Sequence, residues 1–219
     1  MMKVLLVNGS PRIDGCTNRA LEEVQNELIK EGIDAIIFHI GNKSQGCIAC
    51  GRCKEIGYCV FEDKVNEFAN LAKEADGFIF GSPVYYASAT GGMISFMDRL
   101  FCSSSRYLVG KLAASVVVCR RAGSTETFSQ LNKYYTINNM PVISSQYWNQ
   151  VFGNTKEEVE KDIEGLQTMR VLARNMAWIL KCIEAGYEKG IKRPTIDKKI
   201  RTNFIRSVSY THLRAHETD

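Results

Sequence analysis

The 219-residue chain predicts a doubly wound α/β fold: one five-stranded parallel sheet in the order 2-1-3-4-5, with helices on both faces. Three observations predict it. Short apolar runs alternate along the chain with segments of helical period. Those runs are near-continuously apolar, which suits strands covered on both faces. Small polar, glycine-bearing segments follow the first, third and fourth runs, at the strand ends where such sheets open a ligand crevice.

Residues 3–7, with Val4-Leu5-Leu6-Val7, form a buried strand that leaves through Asn8-Gly9-Ser10-Pro11. Over residues 18–31, Leu21, Val24 and Leu28 recur at helical spacing, and Gly32 ends the helix. Residues 33–40 are the second strand, followed by an inserted cysteine-rich loop. A helix over 62–73 places Val65, Phe68 and Leu71 or Ala72 on one face. The third strand, 77–81, exits through a second Gly-Ser-Pro. A helix over 91–101, a valine-rich fourth strand over 112–119, a helix over 125–137 and a fifth strand over 141–145 follow. One long helix over 155–185 carries Val159, Ile163, Leu166, Met169, Ala173, Met176, Leu180 and Ile183 as a stripe for the core or a subunit interface. Residues 1–188 therefore form one domain, and 189–206 read as a basic, solvated tail. The string at 207–219 resembles translated sequencing-adapter read-through, a non-native artefact set aside from fold reasoning.

Hydrophobic residues make up 45% and charged residues 24%, a globular composition. A net charge of +4 is too mild to imply nucleic acid as a partner. No apolar run approaches the roughly 18 residues of a membrane span, and the first run is too short for a signal-peptide core, so a cytoplasmic location is expected. Four of the eight cysteines fall between residues 47 and 59, which in a reducing compartment reads as metal or redox chemistry. Two of the three histidines lie in the last stretch. His39 alone remains, a poor basis for a nucleophilic triad.

Chemistry gathers in four segments. The first, Gly9-Ser10-Pro11-Arg12-Ile13-Asp14-Gly15-Cys16-Thr17-Asn18, joins a strand to a helix N-terminus. Its N–H groups, the Ser10 and Thr17 hydroxyls, the Asn18 amide and the Arg12 guanidinium can surround a phosphate. It matches neither the triphosphate loop nor the dinucleotide fingerprint. An ordinary capped turn would use similar residues. In the second, Gly81-Ser82-Pro83-Val84-Tyr85-Tyr86-Ala87-Ser88, a tyrosine offers a flat surface and the Val84 and Tyr85 peptides offer edges for a planar heteroaromatic ring. A tyrosine packed in the core is the competing reading there. The third, Cys119-Arg120-Arg121-Ala122-Gly123, borders the same crevice.

These three segments, G-S-P-R-x-x-G-x-T-N, G-S-P-V-Y-Y-x-S-x-x-G-x-M-x-x-F-x-D-R and the glycine-bearing loop after the fourth strand, resemble the NADPH-dependent FMN reductase family within the flavodoxin-like fold. The likeness runs from residue 3 to about residue 140. It implies that Ser10, Arg12, Thr17 and Asn18 hold the phosphate of FMN, that Pro83, Val84, Tyr85 and Tyr86 hold the isoalloxazine ring, and that Gly123 and its neighbours close over it. Cys16, Ser88 and Arg120 complete the expected cofactor set. Cys16 departs from the family, which often has Asn there, and changes only a small polar side chain. Asp98 and Arg99 match the family's D-R pair, read as structural.

The fourth segment places Cys47, Cys50, Cys53 and Cys59 in the spacing C-x2-C-x2-C-x5-C. Thiolates at such intervals wrap a corner of a cubane, whereas zinc usually takes two C-x2-C pairs separated by a longer loop. The spacing resembles iron–sulfur flavoproteins, which implies one [4Fe-4S] cluster beside FMN. Cys16, Cys102, Cys119 and Cys182 are expected to be dispensable for metal. The expected function is an FMN-dependent oxidoreductase or electron-transfer flavoprotein, with NAD(P)H or reduced ferredoxin as donor and no catalytic acid–base residue. Two alternatives stay open: a cluster-free NAD(P)H-dependent reductase of FMN, quinones or nitro compounds, and a non-enzymatic electron carrier. A homo-oligomer, dimer or tetramer, is expected from the helical stripe and the open crevice.

Overall fold

The computed structural model describes residues 2–197 and Ile200. The 207–219 string and the end of the basic tail lie outside the described residues. Six strands form: β1 (Lys3–Asn8), β2 (Asp34–His39), β3 (Gly77–Tyr85), β4 (Ser88–Ala89), β5 (Leu112–Cys119) and β6 (Gln150–Phe152). Five pair in parallel in the order β2-β1-β3-β5-β6, while the two-residue β4 folds back antiparallel on β3. Without that hairpin the order is the expected one. The register runs Val4↔Gly77 to Asn8↔Gly81 between β1 and β3, and Gly77↔Leu112 to Pro83↔Val118 between β3 and β5. β3 thus extends past Gly81, and Pro83 falls where β1 no longer flanks it, so its missing N–H costs no ladder bond there.

The helices are α1 (Cys16–Lys30), α2 (Cys53–Ile56), α3 (Lys64–Ala72), α4 (Gly91–Ser104), α5 (Ser124–Ile137), α6 (Lys156–Val159) and α7 (Ile163–Glu188). Alternation along each strand divides the core in two. Val4, Leu6, Ile79, Ala114 and Val116 face α1 and α7, packing on Leu21, Val24, Leu28, Met169 and Met176. Leu5, Val7, Phe78, Phe80 and Val117 face α3, α4 and α5. There Phe68 meets Phe38, Phe78, Phe80 and Phe96 at centroid distances of 5.2–6.2 Å, in edge-on or tilted geometry. No helix among the described residues is long and apolar enough to cross a membrane.

Two sequence expectations need correction. The fifth strand is β6, not 141–145. Val142 makes only an isolated bridge to Ala113; the chain then loops out, held by Ser145 Oγ donating to Asn149 Oδ1 at 2.6 Å, before it rejoins β5 at Gln150. The single helix expected over 155–185 is two helices. Asp162 breaks it because its carboxylate accepts from Phe152 N of β6 at 2.6 Å and caps Gly165 N of α7 at 2.9 Å. Ile163 is therefore 75% exposed rather than part of the stripe, whereas Leu166, Met169, Ala173, Met176 and Leu180 are buried in the chain's own core.

Candidate functional site

The carboxyl ends of β1, β3, β5 and β6 meet around a cavity of about 200 Å3. It is lined by Ser10, Arg12, Cys16 and Thr17 after β1, by Pro83, Val84 and Tyr85 of β3, by Val118, Cys119 and Arg120 at the end of β5, and by Gly153 and Asn154 after β6. The β1–α1 loop is cross-linked by its own hydrogen bonds. Buried Asn8 accepts from Ser10 N at 3.0 Å and donates to the Ile13 carbonyl at 3.2 Å. Ser10 Oγ accepts from Arg12 N at 3.1 Å, and His39 Nε2 donates to the Ser10 carbonyl at 2.8 Å. Gly9 N donates to Gly81 O at 2.8 Å; a Cβ on Gly9 would sit 3.0 Å from that oxygen, so this residue lets the two strand ends close on each other.

Helix α1 opens on Gly15, which supplies no side-chain cap, so the N–H groups of Cys16, Thr17 and Asn18 have no intrahelical acceptors. The Thr17 hydroxyl is buried, with the residue 1% exposed, and has no hydrogen-bond partner. An orphan hydroxyl beside a bare helix N-terminus, with Arg12 and Arg120 on the same cavity, fits an anionic phosphate. Burial pushes the Cys16 thiol up, so it stands there as a neutral group that does not repel an anion. Asn18 is not among the lining residues: its carboxamide accepts from Asn8 Nδ2 at 3.3 Å and donates to Glu22 at 2.7 Å.

The β3–β4 turn passes through Tyr86 and Ala87, both left-handed with φ of 51° and 55°. Consecutive positive φ values are the mark of a type I′ hairpin, normally filled by Asn and Gly, so this turn holds local strain. Tyr86 is fully exposed and does not line the cavity, whereas Tyr85 does. Ser88 Oγ and Ala89 N both donate to Gln130 Oε1 of α5 at 2.9 Å, fixing the hairpin from behind. Gly123 (φ +84°) abuts the turn; a Cβ there would lie 2.8 Å from Ala87 Cα. Ser88 and Gly123 thus touch the hairpin rather than the cavity. Sequence reasoning missed Gly153 and Asn154, although a Gly-Asn pair closing a short apolar run is a turn signal.

A second cavity, of about 270 Å3, gathers Cys47, Cys50, Cys53 and Cys59. It also contains Cys102, brought in by α4, a cysteine whose spacing in sequence does not place it with the other four. The Cys53 and Cys102 sulfurs are 3.8 Å apart, and burial together with Cys53 and Cys47 pushes the Cys102 thiol up to about 11. Cys59 is held firmly: Asn66 Oδ1 accepts from its N–H at 3.1 Å, and Asn66 Nδ2 donates to its carbonyl at 2.8 Å. Arg99 Nε donates to Cys59 Sγ at 3.2 Å. Thiols are soft donors, which suit iron–sulfur clusters, zinc and Cu(I) alike. Among the described residues, however, no three cysteine, histidine or carboxylate side chains are gathered closely enough to hold an ion.

The family model for NADPH-dependent FMN reductase matches residues 2–155. An iron–sulfur flavoprotein of Methanocaldococcus jannaschii is 32% identical over 192 residues, covering 84% of this chain and all of its own. Two solved structures share the architecture: an NADH:FMN oxidoreductase in its apo form (TM-score 0.62, 15% identity, 82% of this chain and 90% of that one) and an archaeal flavodoxin (TM-score 0.56, 18% identity, 83% and 99%).

Proposed function

The chain belongs to the NADPH-dependent FMN reductase family, and we propose that it acts as an iron–sulfur member of it, passing electrons between FMN and one [4Fe-4S] cluster. Its character as an FMN-dependent oxidoreductase of flavodoxin-like fold follows from the family. The cluster, its ligands and the donor are the proposal. The observation that carries it is the convergence of Cys47, Cys50, Cys53 and Cys59, from a loop with little regular structure, on a single cavity.

In this reading the Thr17 hydroxyl, the first N–H groups of α1, Ser10 and the Arg12 guanidinium bind the FMN phosphate. Asn18 supports that loop through Asn8. Pro83, Val84 and Tyr85 seat the ring edge, Tyr86, Ser88 and Gly123 shape the hairpin, and Arg120 bounds the open side. FMN supplies one- and two-electron chemistry and a cubane one-electron chemistry, so the protein needs only to bind, orient and tune. NAD(P)H or reduced ferredoxin is the donor, in the cytoplasm. A homo-oligomer, dimer or tetramer, covers the open crevice; since the α7 stripe is internal, sedimentation at micromolar concentration must decide this on the crevice alone.

Iron and sulfide analysis of anaerobically prepared protein tests the proposal. About four of each per chain are expected, and replacing any one of the four motif cysteines by Ala should lower that content while FMN stays bound. Iron still absent after reconstitution with iron and sulfide would leave a cluster-free NAD(P)H-dependent reductase. One observation favours that second reading: the thiols share a cavity without being gathered around a point.

A further inference from the structure

We propose that Arg99 sets the reduction potential of the cysteine site, by donating a charged hydrogen bond to the sulfur of Cys59 while tying both ends of the cysteine loop to α4. This rests on the reading above that Cys59 ligates a cluster.

The guanidinium has five N–H protons, and the surroundings offer five acceptors. Nε donates to Cys59 Sγ at 3.2 Å. Nη1 donates to the Gln45 carbonyl at 3.3 Å and to Asp63 Oδ2 at 2.6 Å. Nη2 donates to the Phe61 carbonyl at 3.5 Å and to Asp63 Oδ1 at 2.9 Å. Gln45 precedes the first motif cysteine, and Phe61 and Asp63 follow the last, so one side chain closes the loop at both ends. Arg99 is 1% exposed and lies over the Phe61 ring at 4.9 Å. A cation this buried is tolerated because Asp63 pairs with it bidentately. Asp63 is fixed in turn, since it caps α3 by accepting from Val65 N at 3.1 Å. The adjacent Asp98 takes no part in this network; it accepts from Tyr134 instead.

The orientation decides the sign. The N–H aimed at Cys59 presents its positive end to the sulfur, and the guanidinium stands between that sulfur and the compensating carboxylate. Electron density added to a thiolate-ligated centre resides partly on sulfur, so a donated hydrogen bond favours the reduced state and raises the potential. A lysine at this position would keep the charge beside Asp63 but lose the fork that reaches both groups.

The test compares wild type, Arg99→Lys and Asp63→Asn as anaerobic holoproteins. Iron content, the cluster midpoint by EPR-monitored redox titration and the FMN midpoints are read on each. Arg99→Lys is expected to keep iron and FMN and to lower the cluster midpoint with the FMN midpoints unmoved. Asp63→Asn keeps the Arg99 donor and removes its counter-charge, so the cluster midpoint should rise. A merely structural tether predicts no such opposition. Midpoints that do not move, that move together in one direction, or iron lost from both variants with FMN retained, would each overturn the tuning role. Wild-type protein without iron would defeat the parent reading instead.

Discussion

Thr17→Val separates the stability of the protein from its hold on FMN. Valine keeps the branched shape and removes only the hydroxyl, which is buried and unpartnered. An unsatisfied buried polar group costs about 1–3 kcal/mol, so the flavin-free variant should be more stable than the parent by up to that amount. For a chain of this size each kcal/mol moves the melting temperature by roughly 2–4 °C. With FMN present the same hydroxyl donates to a charged phosphate, a bond of about 1.5–3 kcal/mol, and its loss should raise the Kd about 10- to 140-fold. FMN therefore raises the melting temperature of the variant by less than it raises that of wild type, and without FMN the variant melts higher. Deflavinated protein melted with and without FMN, alongside a flavin-fluorescence titration, measures both effects. A variant that binds FMN as tightly as wild type, or that is destabilised without it, would refute the assignment of Thr17 to the phosphate.

Three further outcomes are expected. Gly123→Ala forces a Cβ to within 2.8 Å of Ala87 Cα at a left-handed position, so it should cost at least 1–2 kcal/mol in urea unfolding and weaken FMN binding by displacing the hairpin. Burial works against the Glu23 carboxylate, yet bonds from Arg170 and Arg19 hold it below the usual range; its contribution is therefore complete only above the ordinary glutamate value of about 4.3 and fades as pH falls through the lower folded-state value. Glu23→Gln should thus destabilise the protein at pH 7 and lose that effect progressively as pH falls below the ordinary carboxylate range, whereas a deficit independent of pH would contradict the ion-pair account. Cys102→Ser should leave iron content unchanged, and Cys53→Ser should lower it; if Cys53→Ser keeps its iron until Cys102 is also replaced, Cys102 has taken over as a ligand.

What could be read from the sequence follows from burial. All eight residues of β5 are buried, so the run Leu-Ala-Ala-Ser-Val-Val-Val-Cys announces itself without knowledge of its neighbours. Helix α1 is equally legible, because Leu21, Val24 and Leu28 are all fully buried at helical spacing. Strand β6 has three residues and no usable period, and it is a strand because Val117, Val118 and Cys119 lie beside it. The break between α6 and α7 depends on Asp162 reaching a backbone N–H ten residues earlier, which no local pattern encodes. At the site, the lining residues on the β1–α1 loop and β3 are carried by contiguous motifs and could be named in advance. Gly153 and Asn154 were hidden behind the misplaced fifth strand. Cys102 lies 49 residues from Cys53 in sequence, and only the path of α4 brings the two sulfurs together.

Helix α4 also constrains how this chain can vary. At its start Thr90 caps Met93 N at 3.1 Å and donates to the Gly9 carbonyl of the β1–α1 loop at 2.8 Å. Nine residues later, about 14 Å along the axis, Arg99 grips the cysteine loop. A residue gained or lost between them would swing one end by about 100° relative to the other, uncoupling Arg99 from its acceptors while Thr90 stayed in place. Insertions and deletions should thus be absent from this interval among proteins that keep both cavities, yet tolerated at the looped-out edge between Ile143 and Gln150, which touches neither. The spacing of the two cavities is set by a count of residues within one helix, and substitutions that preserve that count leave it intact.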